Sequence, residues 1–227
     1  MSQTRKAVIF FLSFFIALVL VSLLFQIISP LIANMDQGTI FNIISPLFTT
    51  IGLLLFILLQ ALIRYMFYKK LLTSDVSLVS ANITKFGLKE RLLPYTILMF
   101  IHLPAFLGQI VLNYTFIIRI LMIIGSIIII ELLLRITNQN TRVYLRNNDI
   151  LITGFDGRSE IPFGVSININ NDSGFYRYKD IENYKVLPNH IELKIVNGYG
   201  KITFIANEEM TKQATELMKE KEVPVRE

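Results

Sequence analysis

Few residues in this sequence could do chemistry, and the most unusual of them interrupt apolar runs. Arg119 and Glu131 break residues 116–134, FIIRILMIIGSIIIIELLL. His102 falls in another apolar stretch, two residues before Pro104, and Gln60 and Gln109 sit in similar surroundings. Ionisable groups held in lipid are expensive, so each is a candidate for a substrate path, a proton relay or a bond between helices. At about 1.5 Å of rise per residue, Gln109 lies at the depth of Arg119, and Gln60 at the depth of Glu131. Arg119 therefore either snorkels to the outer headgroups or bonds Gln109. Glu131 either pairs with Arg135, four residues on, or relays protons. His102 is either a neutral residue packed between helices or a carrier.

A second set of candidates lies in the polar remainder of the chain. Arg142, Arg146, Arg158, Arg177 and Lys179 are read as surface cations, either simply solvated or facing anionic headgroups. Other chemistries are poorly served. The chain has no cysteine, which removes disulfides, thiolate catalysis and cysteine–zinc sites. With only two histidines, a histidine metal cluster is not expected. There is no glycine-rich phosphate loop, metal-ligand helix or serine nucleophile elbow. The expectation is a protein that is not an enzyme and has no cofactor and no metal.

The elements that position these residues divide the chain in two. Hydrophobic residues make up 53% of the 227 and charged residues only 17%, against roughly 25% charged in a soluble domain. Residues 1–140 hold ten Lys/Arg and four Asp/Glu, a net of +6; residues 141–227 hold twelve and thirteen, a net of −1. The basic excess thus belongs to the apolar half. A nucleic-acid binder would carry it on a soluble face, so no nucleic-acid partner is expected.

Four transmembrane helices are predicted in residues 1–138. The first, about 7–29, is too long for a signal peptide and ends at Pro30. The second opens at Ser45-Pro46, an N-cap followed by proline at the first helical position, and runs to about residue 68. The third covers about 92–112 and the fourth 116–134, joined by Asn113-Tyr114-Thr115. In the intervening loop, residues 69–91, Leu72, Val76, Val79 and Ile83 recur at helical spacing and predict a short amphipathic helix. Arg5, Lys6, the cations of that loop, Arg135, Arg142 and Arg146 fall on one side of the bilayer. The positive-inside rule then places both termini and the polar half in the cytoplasm, beneath a multi-pass cell (inner) membrane segment.

From Thr141 the period falls to two. Short strands are predicted at 143–146, 150–153, 159–163, 166–170 and 176–186. Ile191, Leu193 and Ile195 then alternate with Glu192 and Lys194, and Ile202, Phe204 and Ala206 alternate in a last strand. Asn207 caps a helix with Met210, Ala214, Leu217 and Met218 on one face. Ile181, Tyr184 and Val186, then Ile191, Leu193 and Ile195, then Ile202, Thr203 and Phe204, then the helix from Asn207, resemble the C-terminal half of bacterial pleckstrin-homology-like domains attached to membrane spans. The resemblance implies a small β-rich, α+β domain over 139–227, usually non-enzymatic and used for binding or assembly. The chain is thus expected to bind a protein partner, or its own copies, at the lipid bilayer. Transport or immunity through the intramembrane polar residues is the alternative.

Overall fold

The computed structural model describes residues 3–72, 77–103, 114–158, 170–196 and 200–226. Helix α1 spans Gln3–Ile32 and carries Pro30 inside its last turn, so the helix runs two residues past the proline expected to end it. Pro30 has no N–H for the carbonyl of Gln26, four residues back, and the helix stops within one turn of it.

The next helix starts earlier than Ser45-Pro46. Asp36 is its N-cap, with Thr39 N donating to Oδ1 at 2.8 Å and Thr39 Oγ1 donating to Oδ2 at 2.6 Å. Helix α2 (Gln37–Thr39), a π turn (Ile40–Ile44) and helix α3 (Ser45–Leu72) follow without a break. Ser45 is itself helical, at φ −61° and ψ −50°. Pro46 has no N–H for the carbonyl of Asn42, four residues back. The wide π turn takes up that misfit locally, so the proline distorts the helix rather than starting it.

Helices α4 (Leu88–His102) and α5 (Tyr114–Asn140) complete the helical part among the described residues. Among the described residues three segments, Lys6–Ile32, Gln37–Leu72 and Tyr114–Asn140, are long and apolar enough to cross a membrane. The second half of the expected third span, with Gln109, lies outside the described residues. α1 packs along α3 through aromatic edges: Phe10 and Phe14 meet Phe56 at 5.2 and 6.4 Å between centroids, and Phe25 meets Phe48 at 5.5 Å.

The loop between α3 and α4 holds a strand, β1 (Ser77–Asn82), where the sequence predicted an amphipathic helix. Val79, Ala81 and Ile83 are 3%, 4% and 2% exposed. The four-residue gap from Val79 to Ile83 fits period two as well as period 3.6. The strand wins because β2 (Arg142–Arg146) offers an edge, and Val79 pairs with Leu145 and Ala81 with Val143.

β1, β2, β3 (Asp149–Thr153) and β4 (Gly174–Arg177) form one antiparallel sheet in that order. β5 (Ile181–Leu187), β6 (His190–Ile195) and β7 (Lys201–Ile205) form a second. The single strand expected over 176–186 is broken by a 3₁₀ turn, Tyr178–Asp180, where the chain passes from one sheet to the other. The Asp180 carboxylate accepts from Arg177 N at 3.1 Å and stabilises that turn. The strands expected at 159–163 and 166–170 lie almost wholly outside the described residues.

A bridge between Ile83 and Phe204 links the two sheets. Leu145, Ile152, Leu193, Ile202 and Phe204 fill the space between them at 0% exposure. Helix α6 (Glu208–Glu220) closes this core with Ala214, Leu217 and Met218, capped by Asn207 Oδ1 on Met210 N at 2.8 Å, as expected. All five residues of β3 are buried, which marks it as covered on both faces.

Candidate functional site

The densest polar cluster among the described residues is the seam where the apolar helices meet the sheets. It starts from Arg64, in the last third of α3. Arg64 is 2% exposed, as far from water as the core leucines. A guanidinium there must be paired and fully hydrogen-bonded. Its Nη2 donates to the carbonyl of Asp156 at 3.1 Å and to that of Arg158, and its Nη1 lies 3.9 Å from Asp156 Oδ2.

Asp156, at 0% exposure, sits in the turn after β3. Arg158 grips it with a fork: Nε donates to Oδ1 at 2.8 Å and Nη2 to Oδ2 at 2.6 Å. Ser173 Oγ donates to the same Oδ2 at 2.6 Å. Burial by itself would raise the Asp156 pKa, but the charges of Arg158 and Arg64 and the bonds from Arg158 and Ser173 outweigh it. They hold the carboxyl well below the usual range. Such a carboxylate is a poor general base at neutral pH, since its proton affinity is too low. The arrangement clamps; it does not transfer protons.

The clamp reaches further on both sides. Arg158 also donates to the carbonyls of Asn170 and Asn171, each at 2.6 Å, and lies 4.7 Å over the Phe86 ring. Thr137 Oγ1 on α5 accepts from Gly157 N at 2.8 Å. Gly154 lets the chain pass tightly under the end of α5: a Cβ there would fall 2.2 Å from the Asn140 carbonyl oxygen. Lys6 of α1 pairs with Asp172, and Asn138 of α5 donates to the Thr84 carbonyl at 3.0 Å. Helices α1, α3 and α5 are each tied to the β part by side chains.

The sequence-predicted residues fall into groups. Arg146 and Arg158 are not surface cations; they are 2% and 4% exposed. Arg146 donates to Asp149 Oδ1 at 2.6 Å and to the Leu71 carbonyl at 2.8 Å. It therefore satisfies one of the open carbonyls at the C-terminus of α3. Their recruitment follows from a seam rich in carbonyls, which a guanidinium can serve several at a time. Arg142, Arg177 and Lys179 are exposed, as read from the sequence.

Among the described residues, the candidates from the apolar runs do not meet in one place. Glu131 pairs with Arg91 of α4, Nε to Oε1 at 2.8 Å, and accepts from Tyr95 Oη. Its partner is thus on the neighbouring helix and not Arg135. Arg91 is aimed there because its other nitrogen donates to the carbonyls of Phe86 and Gly87, both at 2.9 Å. Gln60 is 2% exposed and its carbonyl accepts from Arg64 Nε at 3.5 Å. His102 is 2% exposed, with Nε2 3.4 Å from Thr50 Oγ1 of α3. Arg119 Nε donates to the Asn42 carbonyl at 3.2 Å, the group that Pro46 cannot serve. Gln109 lies outside the described residues.

The seam itself went unread in the sequence. Its only signals were Arg64, a lone cation in an apolar run, and the oppositely charged Asp156 and Arg158 two residues apart. No family model matches the chain, and no curated protein matches it.

Proposed function

We propose that the protein is a non-enzymatic, multi-pass inner-membrane protein that holds a cytoplasmic pleckstrin-homology-like domain in a fixed pose to bind a partner protein or organise a membrane complex. Four spans are envisaged, with α4 and residues up to 112 as the third, and both termini on the cytoplasmic side. The domain assignment is supported by a four-stranded and a three-stranded antiparallel sheet closed by one C-terminal helix. The observation that carries the functional reading is the buried Arg64–Asp156–Arg158 clamp. A domain on a flexible tether needs no buried ionic contact with its anchor; a domain that presents one face in one orientation does.

The surface offered to a partner is the outer face of the β5–β7 sheet. There Leu187, His190 and Ile205 stand in one cross-strand row, and Ile205 is 49% exposed. Cross-linking in native membranes, followed by purification of the full-length protein and mass spectrometry, tests the reading. A stoichiometric partner that is lost on Ile205→Asp supports it. Recovery of no protein above controls removes it.

One observation favours the alternative, transport or immunity by the helices. His102 Nδ1 is buried and has no hydrogen-bond partner among the described residues. His102 also lines a cleft of about 390 Å³ with Tyr95, Leu98 and Ile127. If His102→Ala, Arg119→Gln and Glu131→Gln each leave a transport or protection phenotype intact, this reading falls.

A further inference from the structure

A second cleft opens at the inner end of α4 and α5. It measures about 500 Å³ and has two kinds of wall. Ile127, Ile128 and Leu132 of α5 line one side and are 39%, 53% and 52% exposed. Arg135 and Asn138 continue along the same helix toward its C-terminal end, and Lys85 joins them from the segment before α4. Both cations are exposed, and among the described residues no carboxylate pairs with either. Among the described residues the one carboxylate lining the cleft, Glu131, is already held by Arg91 and Tyr95. Among the described residues the site therefore sets two exposed cations that no carboxylate pairs beside an apolar trough.

Its depth is set by α5. The apolar run of residues 116–134 is nineteen residues, which at about 1.5 Å each matches the roughly 30 Å hydrocarbon core. Arg135 is the first residue past it, at headgroup level, and the three aliphatic side chains lie within the last turns below the surface. A free anion would use only the cations. A lipid would use both walls, its phosphate between Lys85 and Arg135 and its acyl chain along Ile127, Ile128 and Leu132.

We propose that this cleft binds an anionic phospholipid, with Lys85 and Arg135 holding the phosphate. The test is native mass spectrometry of the full-length protein in mild detergent, with phosphatidylglycerol and phosphatidylcholine titrated in parallel, and with glycerol phosphate as a soluble competitor. The wild type is expected to retain phosphatidylglycerol over phosphatidylcholine. The variant Lys85→Gln/Arg135→Gln is expected to lose about fivefold in that preference per cation removed. Lys85→Arg/Arg135→Lys should restore it, and Lys212→Gln on α6 should leave it unchanged. Equal retention of the two lipids, or an unaltered preference in the double Gln variant, overturns the proposal. Displacement of the lipid by millimolar glycerol phosphate also overturns it, since the ligand would then be the phosphate alone. All three side chains changed here, Lys85, Arg135 and Lys212, are exposed, so an unchanged melting temperature in each variant separates lost binding from lost folding.

Discussion

Arg64 of α3 and Asp156 of the turn after β3 lie 92 residues apart in the chain, yet they meet at 3.9 Å with 2% and 0% of their side chains exposed. One belongs to a helix long and apolar enough to cross a membrane, the other to the β part. Their contact makes helix and sheet a single packed unit, and several consequences can be measured.

Removing the carboxylate should hurt more than removing Arg64. Asp156→Ala leaves two buried guanidiniums facing each other, and a broken buried pair costs about 3–5 kcal/mol. Arg64→Met leaves Asp156 still forked by Arg158, so its cost should be smaller. Thermal unfolding in detergent gives the order. An Asp156→Ala protein as stable as the exposed-site control Lys212→Ala would contradict the clamp.

The same carboxylate sets an acid limit. Its folded pKa lies below its ordinary value of 3.8. A depressed folded value means that the stabilisation is present above 3.8 and is lost as the pH falls below it toward the folded value. The difference in stability between wild type and Asp156→Asn should thus be constant at neutral pH and shrink only below about pH 4. A difference that instead changes between pH 6 and 8 would point to another group.

Arg119 should be coupled to Pro46 through the Asn42 carbonyl. Pro46→Ala restores an N–H to that carbonyl, so Arg119→Leu should cost less in the Pro46→Ala background. A coupling of about 0.5–1.5 kcal/mol is expected from a double-mutant cycle. Strict additivity would show that Arg119 serves some other group.

The strand from the loop between α3 and α4 should exchange with the sheets. The amides within Ser77–Asn82 that bond β2 are expected to be protected from hydrogen exchange, while the alternate amides on this edge strand exchange faster. Val79→Asp should destabilise the protein by about 3 kcal/mol or more, because Val79 is 3% exposed and a carboxylate there would be buried unpaired. Rapid exchange across β1 would return this segment to the surface helix that its four-residue spacing also allows.

Part of this fold is decided by local pattern alone. Long apolar runs marked the helices, because twenty uninterrupted apolar residues leave few alternatives. Alternation marked β6 and β7, and Asn207 marked the start of α6, because each is decided within a few residues. Tertiary structure decided the rest. Whether residues 77–82 are helix or strand depended on the open edge of β2, some sixty residues away in sequence. Whether Pro46 starts a helix or sits in one depended on what could serve the Asn42 carbonyl, and Arg119 does. Arg146 and Arg158 look like surface cations until Leu71, Asn170 and Asn171 are folded against them. Glu131 took Arg91 over Arg135 because a neighbouring helix held that guanidinium in place. Long flexible charged side chains choose partners by proximity in space, and spacing along one helix gives only the local options.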